Sequence, residues 1–142
     1  MSEIEKIFAK YNFQKRIKKL KLTIEEVENK INFPLPDDYK FYAENFVGTD
    51  SLIGTEYVQL WDFNEILKFN SAYKIIENLK NTIAIGGNGS SEFIAIEFLK
   101  NTDYRIVLSP LIDLDDTYHI EIGNSFTDFF ERLEKGNAWF EE

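Results

Sequence analysis

The sequence predicts an α+β fold, an antiparallel-rich sheet with helices packed against it. Three observations lead there. The periodicities run in the order helices, a strand, a helix, a run of strands, a final helix. The glycine-rich stretch GGNGSSE joins two period-two runs, Ile83/Ile85 before it and Ile94/Ile96/Phe98 after it, as a hairpin does. The composition supplies a core: 142 residues, 44% hydrophobic and 15% aromatic, with 13 phenylalanines. One domain spanning 1–142 is expected.

Ser2 and Glu5 form a capping box before a helix whose Ile4, Ile7, Phe8 and Tyr11 fall on one stripe. The run KRIKKLK, Lys15 to Lys21, reads as a solvated, partly helical connector rather than a nucleic-acid patch, because the rest of the chain is acidic. Thr23 and Glu26 open a short helix through Ile31. Pro34 and Pro36 block its continuation. Pro36 suits the first turn of a new helix, with Asp37 and Asp38 against its positive end and Tyr39, Tyr42, Ala43 and Phe46 inward. Gly48 stops it.

Thr49 to Thr55 reads as a loop and Glu56 to Trp61 as a strand. Asp62 and Glu65 cap a helix that keeps Phe63, Ile66, Leu67, Tyr73 and Ile76 inward and ends near 78–81. Strands are expected at about 83–86 and 92–98. Another carries Tyr104, Ile106 and Leu108 and stops at Ser109-Pro110, and a last one carries Tyr118, Ile120 and Ile122. Asn124 or Ser125 caps a closing helix with Phe126, Phe129, Phe130 and Leu133 inward, and Gly136 ends it. Trp139 and Phe140 in the tail are expected to cover the sheet or a helix end.

The glycines do not make a phosphate loop. Such a loop needs a helix leaving it, so that free N–H groups face the anion, and here a strand leaves it. It also lacks G-K-[ST] and the G-x-G-x-x-G spacing. The absence of cysteine excludes disulfides, thiolate metal sites and a Cys nucleophile. The opening MSEIEKIFAK has acids where a signal peptide needs a basic region, and no apolar run approaches a membrane span, so a cytoplasmic protein is expected.

The net charge of -9 is unevenly placed. Residues 1–30 hold eight Lys/Arg against five Asp/Glu, while residues 113–142 hold two against nine. An acidic surface repels nucleic acid and anionic membrane and favours a basic partner.

Three segments stand in a recognisable order: Leu35-Pro36-Asp37-Asp38-Tyr39, then Ile83-Ala84-Ile85-Gly86 with its turn and following strand, then Asn124-Ser125-Phe126-Thr127-Asp128-Phe129-Phe130. Together they resemble the SUKH superfamily, the Smi/Knr-like proteins, over about residues 20–135. The resemblance implies an α+β domain with no catalytic residues. It also implies a role like that of bacterial immunity proteins, which bind and block a toxin domain, often a nuclease. Fungal relatives imply a regulatory interaction role instead.

Catalysis has little material. His119, the one histidine, alternates with apolar residues and reads as a solvated or second-layer strand residue rather than a general base. Asp113, Asp115 and Asp116 cluster as D-L-D-D, but Thr117-Tyr118-His119 breaks a calcium loop. No metal and no cofactor is expected. The expected function is a non-enzymatic immunity protein that occludes a basic toxin domain without touching nucleic acid or membrane. The alternatives are a regulatory interaction domain with a cellular partner and, further off, a small acid-dependent hydrolase. The expected partner surface comprises Asp113, Asp115, Asp116, Glu92 and Glu121, with Trp61 as an aromatic anchor.

Overall fold

The computed structural model describes residues 2–100 and 103–140. Among these residues six antiparallel strands form one sheet in chain order: β1 Thr49–Ile53, β2 Glu56–Leu60, β3 Thr82–Gly87, β4 Glu92–Lys100, β5 Asp103–Pro110 and β6 Ile120–Gly123. The helices are α1 Glu3–Lys10, α2 Ile24–Ile31, α3 Asp37–Asn45, α4 Ile66–Ala72, α5 Ile75–Asn78 and α6 Phe126–Glu134. Among the described residues, no helix is long and apolar enough to cross a membrane.

The alternation of β3 to β5 divides the core in two. Ile83, Ile85, Ile94, Ile96, Ile106 and Leu108 face the larger cluster, built with the apolar stripes of α1, α2, α3 and α6. Phe8 sits at its centre, its ring 4.5 Å from Phe13 and 5.5 Å from Phe130. Ala84, Phe93, Ala95 and Val107 face the other way, under Ile75 and Leu79 and under Leu111 and Leu114 of the loop after β5.

The caps follow the sequence. Ser2 and Glu5 make the reciprocal box, Thr23 accepts from Glu26, and Ser125 accepts from Asp128 at the start of α6. Phe126, Phe129, Phe130 and Leu133 are all buried, and Trp139 packs beside Phe129. Phe140 is half exposed.

Four segments differ from expectation. Thr49–Ile53 is a strand, not a loop. It is an edge strand in which only Ile53 is buried, so its sequence carries little alternating apolar signal. The helix expected from Asp62 breaks into a 3₁₀ turn at Phe63–Glu65, then α4 and α5, with Lys74 at φ +57° between them. That break turns Tyr73 outward and places Ile75 in the core. The strand expected at Tyr118 begins only at Ile120, because Asp115 caps a 3₁₀ turn over Asp116–Tyr118.

The Lys15–Lys21 run is extended rather than helical. Arg16, whose side chain is buried, donates to the carbonyls of Ala43 and Phe46 and to Asp62, and Lys15 bridges Phe46. The N–H groups of Lys21 and Leu22 both donate to Asn64 Oδ1. These ties hold the strap at both ends, and Ile17 stands 94% exposed between them.

Candidate functional site

The glycine stretch is a hairpin turn, with β3 and β4 on either side of it as the alternation predicts. The register shifts between Ala84 and Gly86, so two β3 residues oppose one of β4. At this bulge β2 approaches closely, pairing Gln59 and Leu60 with Gly87 and Gly86. A Cβ at Gly86 would lie 2.0 Å from the carbonyl oxygen of Gln59, so only glycine fits.

Beyond that short pairing, no strand among the described residues lies on the β2 side of β3. The buried side chain of Asn70, from α4, takes the strand's place. It donates to Ala84 O at 2.8 Å and accepts from Ala84 N at 2.9 Å. Trp61, just past β2, donates its N–H to Ile85 O at 3.0 Å, and its own carbonyl accepts from Tyr42 Oη at 2.9 Å. Trp61 is thereby held by its backbone, and its ring lies 4.7 Å from that of Phe69.

These placements leave a hollow of about 500 Å³ over Gly86 and Gly87. Trp61, Phe69 and Tyr73 wall it with the buried Phe93, and Asp50, Asp62 and Glu92 are its carboxylates. Among the described residues lining it, none is Lys or Arg. Glu92 is fixed by its own turn: Asn88 Nδ2 donates to one carboxylate oxygen at 2.8 Å and Ser91 Oγ to the other. Asp62 accepts from Arg16 Nη2 at 2.6 Å and from Asn64 N at 3.1 Å.

The acidic loop adjoins this hollow. Leu111 lines it and donates its N–H to Ser91 O at 2.9 Å, which ties the loop's first residue to the glycine turn. Leu111 and Leu114 pack down on the sheet, while Ile112, Asp113, Asp115 and Asp116 are exposed. Asp115 is also structural. Its carboxylate accepts from Thr117 N and Oγ1, both at 3.0 Å, and the Thr117 backbone N–H holds its pKa below the usual aspartate value.

Of the six expected surface residues, Trp61 and Glu92 share the hollow, and Asp113, Asp115 and Asp116 project from the loop that starts at its rim. Glu121 lies elsewhere. It lines a separate hollow with Ile120, Ile122 and residues 137–140, and pairs with Arg132 of α6 at 3.3 Å. The sequence reading missed Asp50, in a stretch taken for a loop, and Phe69, whose i,i+4 spacing to Tyr73 was the available sign.

His119 is a second-layer residue. Its side chain has no exposed area, and Nδ1 lies 3.4 Å from Glu97 Oε1, which also accepts from Arg105 Nε at 2.5 Å. Among the described residues, no group of three or more His, Asp and Glu is arranged to hold a metal ion.

The family model described as SMI1 / KNR4 family (SUKH-1) matches residues 21–132, a span that holds every strand, α2 to α5 and most of α6. No curated protein matches the chain.

Proposed function

We propose the following role for this chain, which belongs to the SMI1 / KNR4 family (SUKH-1): it is a non-enzymatic immunity protein that neutralises a basic toxin domain by covering its working surface. Members of the family bind protein partners, in toxin immunity or related roles. The unit that does so is the single domain 1–142, acting in the cytoplasm. The observation that carries this reading is the juxtaposition of two acidic features. Asp113, Asp115 and Asp116 project from a loop whose first residue is hydrogen-bonded to the glycine turn. That same turn borders a hollow with three carboxylates and four aromatic side chains.

The physical division of labour is ordinary for protein pairs. Exposed aspartates on a loop raise the encounter rate with a basic surface. Aromatic groups in a hollow supply the retained affinity once water is displaced. A toxin that cuts nucleic acid presents a cationic cleft, and an acidic surface competes for it. The test is co-expression with the partner protein that the tagged chain pulls out of its native cell. Growth should be rescued and the two proteins should co-purify as a stable complex. A toxin that kills equally well in the presence of folded protein contradicts the reading.

A further inference from the structure

We infer that the hollow beside Trp61 receives one arginine side chain of the bound partner. This deepens the binding role above and rests on it for the identity of the partner, though the hollow itself can be probed without one. Three features select the occupant. The first is charge: Asp50, Asp62 and Glu92 line the space, and no lining cation among the described residues offsets them. Asp62 is answered by Arg16, whose own side chain is 6% exposed, whereas Asp50 is exposed at the rim. Asn88 and Ser91 fix the carboxylate of Glu92 in place, so little side-chain freedom is lost there on binding.

The second feature is the aromatic wall. Trp61, Phe69 and Tyr73 bring ring surface next to those carboxylates, and Tyr73 is 45% exposed. A cation beside aromatic faces gains from the ring quadrupole. A guanidinium gains more than an ammonium, because it is planar, stacks flat and sheds water more easily. The third feature is the floor. Gly86 and Gly87 carry no side chains, and β2 crosses too close at Gly86 for any other residue, so the fold itself keeps the floor bare. A bare, acidic, aromatic-walled hollow suits a long side chain ending in a flat cation.

The test uses the whole protein and small probes. The indole N–H resonance of Trp61 is followed by ¹⁵N NMR, with that of Trp139, which lies in the tail against Phe129, as an internal reference. Arginine amide should shift Trp61 saturably in the millimolar range and leave Trp139 unmoved. Citrulline amide, which has the same shape with a neutral urea in place of the guanidinium, should shift neither. Lysine amide should bind several-fold more weakly than arginine amide. Asp50→Asn with Glu92→Gln, which preserves the shape of both side chains, should weaken arginine amide at least fivefold. Equal shifts from citrulline amide, equal affinity for lysine amide, or no response at Trp61 would each overturn the inference. Silence at Trp61 alongside rescue of growth in cells would remove the arginine anchor and leave the immunity role standing.

Discussion

Asn70 shows how much one side chain can hold. It stands where the next strand would be and satisfies both backbone groups of Ala84, in a position with no access to water. Asn70→Ala leaves a buried N–H and a buried C=O unpaired. It should cost about 2–4 kcal/mol in urea unfolding, since each orphaned group costs about 1–3 kcal/mol. Asn78→Ala removes only an exposed bond to Lys74 O and should stay within about 0.5 kcal/mol. Glu134 provides a test against pH. Lys10 and Tyr11 both donate to its Oε2, at 2.8 and 2.9 Å, and the bond from Lys10 leads in holding its pKa below the usual glutamate value. A depressed carboxylate stabilises the fold above its unfolded pKa, and that contribution is lost as pH falls through the depressed value. In an NMR titration Glu134 should therefore titrate below ordinary glutamates, and Lys10→Met with Tyr11→Phe should return it to their range. The glycine turn was legible in the sequence because the strands on either side alternate visibly. Asn70 was not, because an asparagine on a helix carries no sign of which backbone it will meet.

At the scale of elements, two of the three segments behind the family resemblance meet in space. Asp38, in the first turn of α3, accepts from Thr127 N and Oγ1 at the start of α6, both at 2.9 Å, and Tyr39 packs edge-on against Phe126 at 5.2 Å. Their joint presence in the sequence is thus one packing joint written in two places. α6 lies directly on β6: a Cβ on Gly123 would come within 2.7 Å of Phe129 Cα. Phe129→Ala should lower stability by about 3–5 kcal/mol, read as a shift in urea midpoint at unchanged slope. A variant that unfolds like the parent would mean that α6 does not bury that face. Helices with a full apolar stripe were legible, α6 above all. The edge strand β1 and the break at Lys74 were not. An edge strand needs only one buried residue, and a lysine gives no warning of a left-handed backbone.

Across the whole molecule, charge is sorted by position. The acidic surplus after residue 112 begins in the loop that adjoins the hollow, and the basic surplus lies in residues 1–30, where α1 and the pinned strap are. The acids of that loop were legible as a cluster in the sequence. Trp61 was named with them, but Phe69 and Asp50 were not, since they reach the hollow from α4 and β1, far apart in the chain. Glu121, expected on the same surface, is turned toward Arg132 instead. That this acidic surface captures a basic partner, the central claim, is tested most directly by stopped-flow association with the partner protein that the tagged chain pulls out of its native cell. The protein is compared with its Asp113→Asn/Asp115→Asn/Asp116→Asn variant from 20 to 500 mM salt, a range that takes the screening length from roughly 20 Å to a few ångströms. Asparagine keeps the cap that Asp115 provides to Thr117, so the fold should stand. The expected result is an association rate that falls steeply with salt for the parent, and for the variant a rate at least tenfold lower at 20 mM with a much flatter salt dependence. Equal rates and equal salt slopes for the two proteins would contradict the claim and place the interface elsewhere on the molecule.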